Sequence, residues 1–132
     1  MIRRPDWEQR LADYLASVAD VPHAYGRHDC ALHGANAVLA LTGEDAATRF
    51  RGRYQTEIGA ARALRRFGAG SVEATFDATF PAIPPALARR GDLVMADGAI
   101  GVCVGGEAVF AGETGQVRWP RADWTRAWRV GA

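Results

Sequence analysis

The stretch that most constrains this chain runs from residue 29 to 43, DCALHGANAVLALTG. On a helical wheel its apolar residues, among them Leu32, Ala35, Val38 and Leu41, do not keep to one stripe, and its Ala and Gly positions let neighbours approach closely. A helix apolar on most sides is stable only when several partners cover it. The pattern predicts a central helix over about 30–41, with Cys30 at its N-terminus and Gly43 as its stop.

The period of the pattern differs on either side of that helix. Upstream, DWEQRLADYLASVA places Trp7, Leu11, Tyr14, Leu15 and Val18 on one helical stripe, with Asp6 as N-cap and Gln9 closing a capping box. DVPHAYGRHD, with Pro22 and Gly26, reads as a loop. Downstream, EIGAARALRR predicts a third helix at 57–66, capped by Thr56 and stopped at Gly68, and SVEATFDATF fits a short helix or a strand. After Gly91 the pattern changes to short strands, DLVMA, IGVCVG, AVFAG, QVRWP and AWRV, punctuated by glycines 98, 105, 106, 112 and 115. The expectation is one α+β domain over residues 1–132, its N-terminal helices and Cys30-bearing central helix packed on a C-terminal antiparallel sheet. At 132 residues and 48% hydrophobic, the chain can bury a core without disulfides or metal.

Charge narrows the function classes. All 16 basic residues are arginine, against 15 acidic ones, for a net charge of +1. They are spread along the chain, so no broad basic face favours nucleic acid as a partner. No apolar run is long enough to predict a membrane span, and the N-terminal residues lack the apolar run of a leader or anchor. Cys30 and Cys103 are expected as free thiols.

Chemistry concentrates in YGRHDCALHGAN, residues 25–36, where Cys30 lies between His28 and His33, with the third histidine, His23, just upstream. A helix N-terminus stabilises a thiolate and supplies N–H groups for an oxyanion. A nucleophilic cysteine also needs an oriented general base. His33, three residues on along the helix, and His28, in the loop, are the candidate bases; against them stands the reading of His33 as a packed core residue and of His28 and His23 as loop surface. A zinc site from His28, Cys30 and His33 lacks a fourth ligand from a second segment, so no metal is expected. Near the C-terminus Trp119, Trp124 and Trp128 interleave with arginines, the composition of an interface hot spot or of the edge of a small core. RFRGRY at 49–54 reads as a solvated loop, a docking surface or a structural arginine.

YGRHDCALHGANAVLALTG, RGRYQTEIGAARAL, ARRGDLV and IGVCVGGEAVFAG together resemble the NlpC-type, papain-like cysteine peptidases, and more closely short phage and prophage tail-associated proteins related to them. The resemblance spans roughly residues 7–130. It implies a papain-like fold in which Cys30 holds the nucleophile's position, with Tyr25 and Asp29 as loop neighbours. It also implies peptidoglycan stem peptides as the substrate of active members. Laying IGVCVG on the family's histidine strand through its glycine puts Ala99 at the histidine position and Ala31 at that of a common serine. No histidine follows His33, so the usual triad cannot be assembled.

Two readings follow. In the first the chain is a tail-tip or tail-assembly component of a phage or prophage, degenerate in catalysis, partnered by other tail-tip or baseplate proteins and assembled in the bacterial host cytoplasm into the virion tail. In the alternative it is an active cysteine endopeptidase of the tail, acting on peptidoglycan through Cys30. Neither requires a cofactor.

Overall fold

The computed structural model describes residues 1–131. Four α-helices come first, α1 (Trp7–Ser17), α2 (Cys30–Thr42), α3 (Glu57–Phe67) and α4 (Val72–Thr79). Six strands follow, β1 (Ala82–Ile83), β2 (Leu93–Ala96), β3 (Ala99–Cys103), β4 (Glu107–Gly112), β5 (Gly115–Pro120) and β6 (Arg126–Trp128). The α+β class and the central position of α2 agree with the sequence.

The helix boundaries have local causes. At α2, the Asp29 carboxylate accepts from the Leu32 N–H, and Gly43 ends the helix in the left-handed region at φ 79°. Thr56 and Ser71 cap α3 and α4 in the same way, accepting from Gly59 and Ala74. The capping box expected at α1 does not form: Asp6 makes no side-chain cap, pairing instead with Arg10, while Gln9 donates to Asp13. Long polar side chains one turn ahead compete successfully for both groups on this exposed face. The ambiguous SVEATFDATF is helical because Ser71 caps it and Phe76 anchors it in the core.

The sheet is antiparallel throughout, in the order β1-β6-β2-β3-β4-β5. Strands β2 to β5 form a meander. The β2–β3 hairpin turns through Asp97 and Gly98, both at positive φ, as a two-residue turn between twisted strands requires. The last strand departs from a simple meander, returning across the sheet to lie between β1 and β2.

Alternation along the strands separates two apolar clusters. On one face Leu93, Met95, Ile100, Val102 and Trp128 pack against Val38 and Leu41 of α2, Leu11 of α1 and Phe76 of α4. On the other, Val94, Ala96, Cys103, Ala108, Phe110 and Ala127 pack with Ala88 and Trp124. Gly34 brings α2 close to β3: a β-carbon there would stand 2.9 Å from the Ile100 side chain. No described helix is long and apolar enough to cross a membrane.

Candidate functional site

The loop before α2 is built around one carboxylate. Asp29 is buried; besides capping α2, its Oδ2 accepts from the Gly26 N–H at 3.0 Å and the Tyr54 hydroxyl at 2.5 Å. Gly26 has φ +82°, and a β-carbon there would lie 2.2 Å from the Tyr54 carbonyl oxygen. The Tyr25-Gly26 loop is thereby locked against the segment 45–54. Arg51 braces that segment, donating to both oxygens of Asp45 and to Asn36 of α2. Of the readings open for RFRGRY, Arg51 is therefore a structural arginine.

Cys30 stands half-buried at the head of α2, and the backbone crosses close to its sulfur. Burial pushes its thiol pKa up; the Asp29 charge acts in the same sense, while the N–H groups of Ile100, Ala31 and Cys30 itself favour the thiolate. The sum is a thiol held protonated, and no imidazole is among the groups that act on it. Cys103 is also free and lies buried within the other cluster, so the two sulfurs do not pair.

The three histidines take separate roles. His33 is 1% exposed and has both ring nitrogens engaged: Nε2 lies 2.9 Å from the Val109 carbonyl oxygen and Nδ1 2.7 Å from the Tyr14 hydroxyl. Val109 offers only an acceptor, so Nε2 carries the proton and Nδ1 accepts from Tyr14. Burial drives its pKa down to about 4, with the nearby His28 adding to the effect and Val109 opposing it. His33 thus ties α2 to α1 and to β4 as a neutral imidazole, which is the core reading of the sequence and leaves no nitrogen for Cys30. His28 is buried, edge-on to the His33 ring at 5.3 Å, where burial and then His23 lower its pKa against the opposing pull of Asp29. Its burial departs from the loop-surface reading. His23 packs edge-on against Tyr25 at 4.7 Å. Among the described residues no cluster of three His, Cys, Asp or Glu side chains has the arrangement of a metal site.

Ala99 does not face the cysteine. It packs into the cluster on the opposite side of the sheet, because the residue of β3 turned toward α2 is Ile100. The matching glycine, Gly101, also faces away, with the Phe110 ring lying across it. What β3 presents to Cys30 is the Ile100 backbone N–H.

Beside Cys30 opens a cavity of about 90 Å³. Tyr25 and Tyr54 stand at its polar side, and Leu32, Phe50, Leu64 and Phe76 are among its apolar walls. The tryptophans divide. Trp128 is fully buried against Phe76, its indole N–H donating to Asp77, and Trp124 is buried beneath Arg121. Both are core residues and neither is open to a partner; Trp119, 38% exposed on the edge strand β5, alone of the three keeps a free surface.

Sequence reasoning found Tyr25, Asp29, Cys30, His28 and His33 as neighbours. It missed Tyr14, Tyr54 and the Ile100 N–H, which come from distant segments; the one signal was the inward position of Tyr14 on the first helical stripe. No curated protein matches the chain. Residues 2–130 match a family described as Domain of unknown function (DUF6950). That match covers nearly the whole chain, which accordingly belongs to the family of that description.

Proposed function

We propose that this protein is a phage or prophage tail-tip or tail-assembly component that uses an NlpC-type, papain-like fold as a docking module and has lost its peptidase chemistry. The observation that carries the reading is the state of the one candidate base on the Cys30 helix. His33 has both nitrogens committed to Tyr14 and Val109. No imidazole is among the groups acting on the sulfur, and burial favours the protonated thiol. Loss of a general base alone removes roughly 100- to 10,000-fold in rate.

In this reading Cys30, Tyr25 and Asp29 keep the architecture of a nucleophile loop for its rigidity. Partners are neighbouring tail-tip or baseplate proteins, met in the bacterial host cytoplasm during assembly and retained in the virion tail. The alternative of an active thiol endopeptidase on peptidoglycan draws on one feature, the cluster of backbone N–H groups around the Cys30 sulfur, which favours the thiolate form of a nucleophile.

The test is incubation of purified protein with peptidoglycan sacculi, followed by chromatography of released peptides, alongside Cys30→Ala in a tail-assembly assay. The docking reading expects no released fragments and full assembly by Cys30→Ala. Peptide release that disappears in Cys30→Ala overturns it in favour of the hydrolase.

A further inference from the structure

At the other end of α2, about 18 Å along the helix from Cys30, the N-terminal segment folds back over the helix C-terminus, the Arg4 N–H donating to Leu41. Arg3 is built into the structure there. Its guanidinium donates to the carbonyls of Val130 and Arg90 and to the Asp92 carboxylate, and it lies 4.4 Å from the Trp7 ring centroid. Gly91 and Gly131, both at positive φ, leave the room that Arg3 fills.

Asp92 is fully buried, and its two oxygens are already taken by Arg3, Arg129 and the N–H groups of Arg89 and Val130. The side chains of Arg89 and Arg90 are exposed and form no ion pair among the described residues. With Arg3 and Trp7 they line a concave pocket of about 240 Å³. The one buried carboxylate is thus already satisfied by Arg3 and Arg129, which leaves the Arg89 and Arg90 side chains without an acidic partner. Burial of Arg3 and the charges of Arg89 and Arg129 disfavour its protonated form, with Asp92 opposing them.

We infer that the pocket between Arg3, Trp7, Arg89 and Arg90 is a docking site for an acidic peptide segment of a partner protein. Two free guanidinium forks match carboxylates in bidentate geometry, and Arg3, held over the Trp7 ring, adds a fixed positive charge to the same pocket. The net charge of +1 supplies no extended basic track for a nucleic-acid backbone. This inference stands apart from the chemistry at Cys30 and survives if that site proves catalytic.

The test is fluorescence anisotropy at low ionic strength with a labelled peptide of alternating glutamate and leucine, against its glutamine counterpart, using the full chain. Wild-type protein binds the glutamate peptide and not the glutamine one, and Arg89→Ala with Arg90→Ala weakens binding roughly tenfold, the effect of losing two exposed charge contacts. Arg90→Ala alone, should the double variant melt early, weakens it about threefold. The assignment is overturned if wild type fails to bind, or if the variants bind as well as wild type. It is overturned in favour of a phosphate ligand if a single-stranded oligonucleotide or inorganic phosphate displaces the peptide at lower concentration than unlabelled peptide does.

Discussion

Acidification tests the central claim about His33, that it is a neutral structural tie. In the unfolded chain an imidazole has a pKa near 6.5, while in the folded protein burial holds His33 at about 4. The unfolded state therefore binds the additional proton first as pH falls. Stability from this group is complete above about pH 6.5, declines as pH drops toward 4, and levels off below it. The difference corresponds to roughly 3 kcal/mol, with little discount for solvent because the ring is 1% exposed. Carboxylates titrate in the same window, so the quantity to measure is the difference between wild type and His33→Gln. Urea unfolding followed by tryptophan fluorescence at several pH values between 4 and 7.5 gives it. At pH 7 the variant is less stable, since glutamine reproduces the Tyr14 and Val109 bonds imperfectly. Toward pH 4 the gap closes by roughly 3 kcal/mol. Parallel pH dependences for the two proteins would refute the neutral assignment. Nitrogen-detected NMR adds an independent check: the protonated ring nitrogen is expected to be Nε2.

Other expectations are more direct. Asp29→Ala removes a helix cap, a loop N–H acceptor and the partner of Tyr54, and is expected to cost about 3 kcal/mol in chemical denaturation; a loss well under 1 kcal/mol would show that the loop is not held by this carboxylate. Gly26→Ala combines a left-handed backbone with a clash at the Tyr54 carbonyl, so a strong drop in melting temperature is expected, and an unchanged one contradicts the geometry. Cys30 is expected to alkylate with iodoacetamide more slowly than a free thiol at neutral pH, its rate still rising beyond about pH 8.5; a plateau near neutrality would mean an activated thiolate. Trp128→Ala empties the core beside Phe76, for a cost of about 3–5 kcal/mol, whereas Trp119→Ala changes stability little.

How much of the site was legible depended on whether its parts were close in sequence. Tyr25, Asp29, Cys30 and the histidines occupy one short stretch, so loop and helix signals brought them together. Tyr54 was hidden because nothing in RGRYQT distinguishes a tyrosine that hydrogen-bonds a helix cap from one in a solvated loop. The side to which β3 turns was equally hidden, because Ala99 and Ile100 are both apolar and a shift of one residue reverses every side chain.

The sequence by itself determined the class of structure. Apolar residues on most sides of the 30–42 helix force it to the centre, and glycine-punctuated strands after Gly91 satisfy their backbone by pairing into a sheet. Tertiary structure alone decided the fate of the chemistry, since charge state and reactivity follow from burial and partners. The core drew His33 between Tyr14 and Val109 and lowered its pKa to about 4, and burial kept the Cys30 thiol protonated. It also left the Arg89 and Arg90 side chains facing solvent beside Arg3 and Trp7, while the one buried carboxylate there is taken by Arg3 and Arg129.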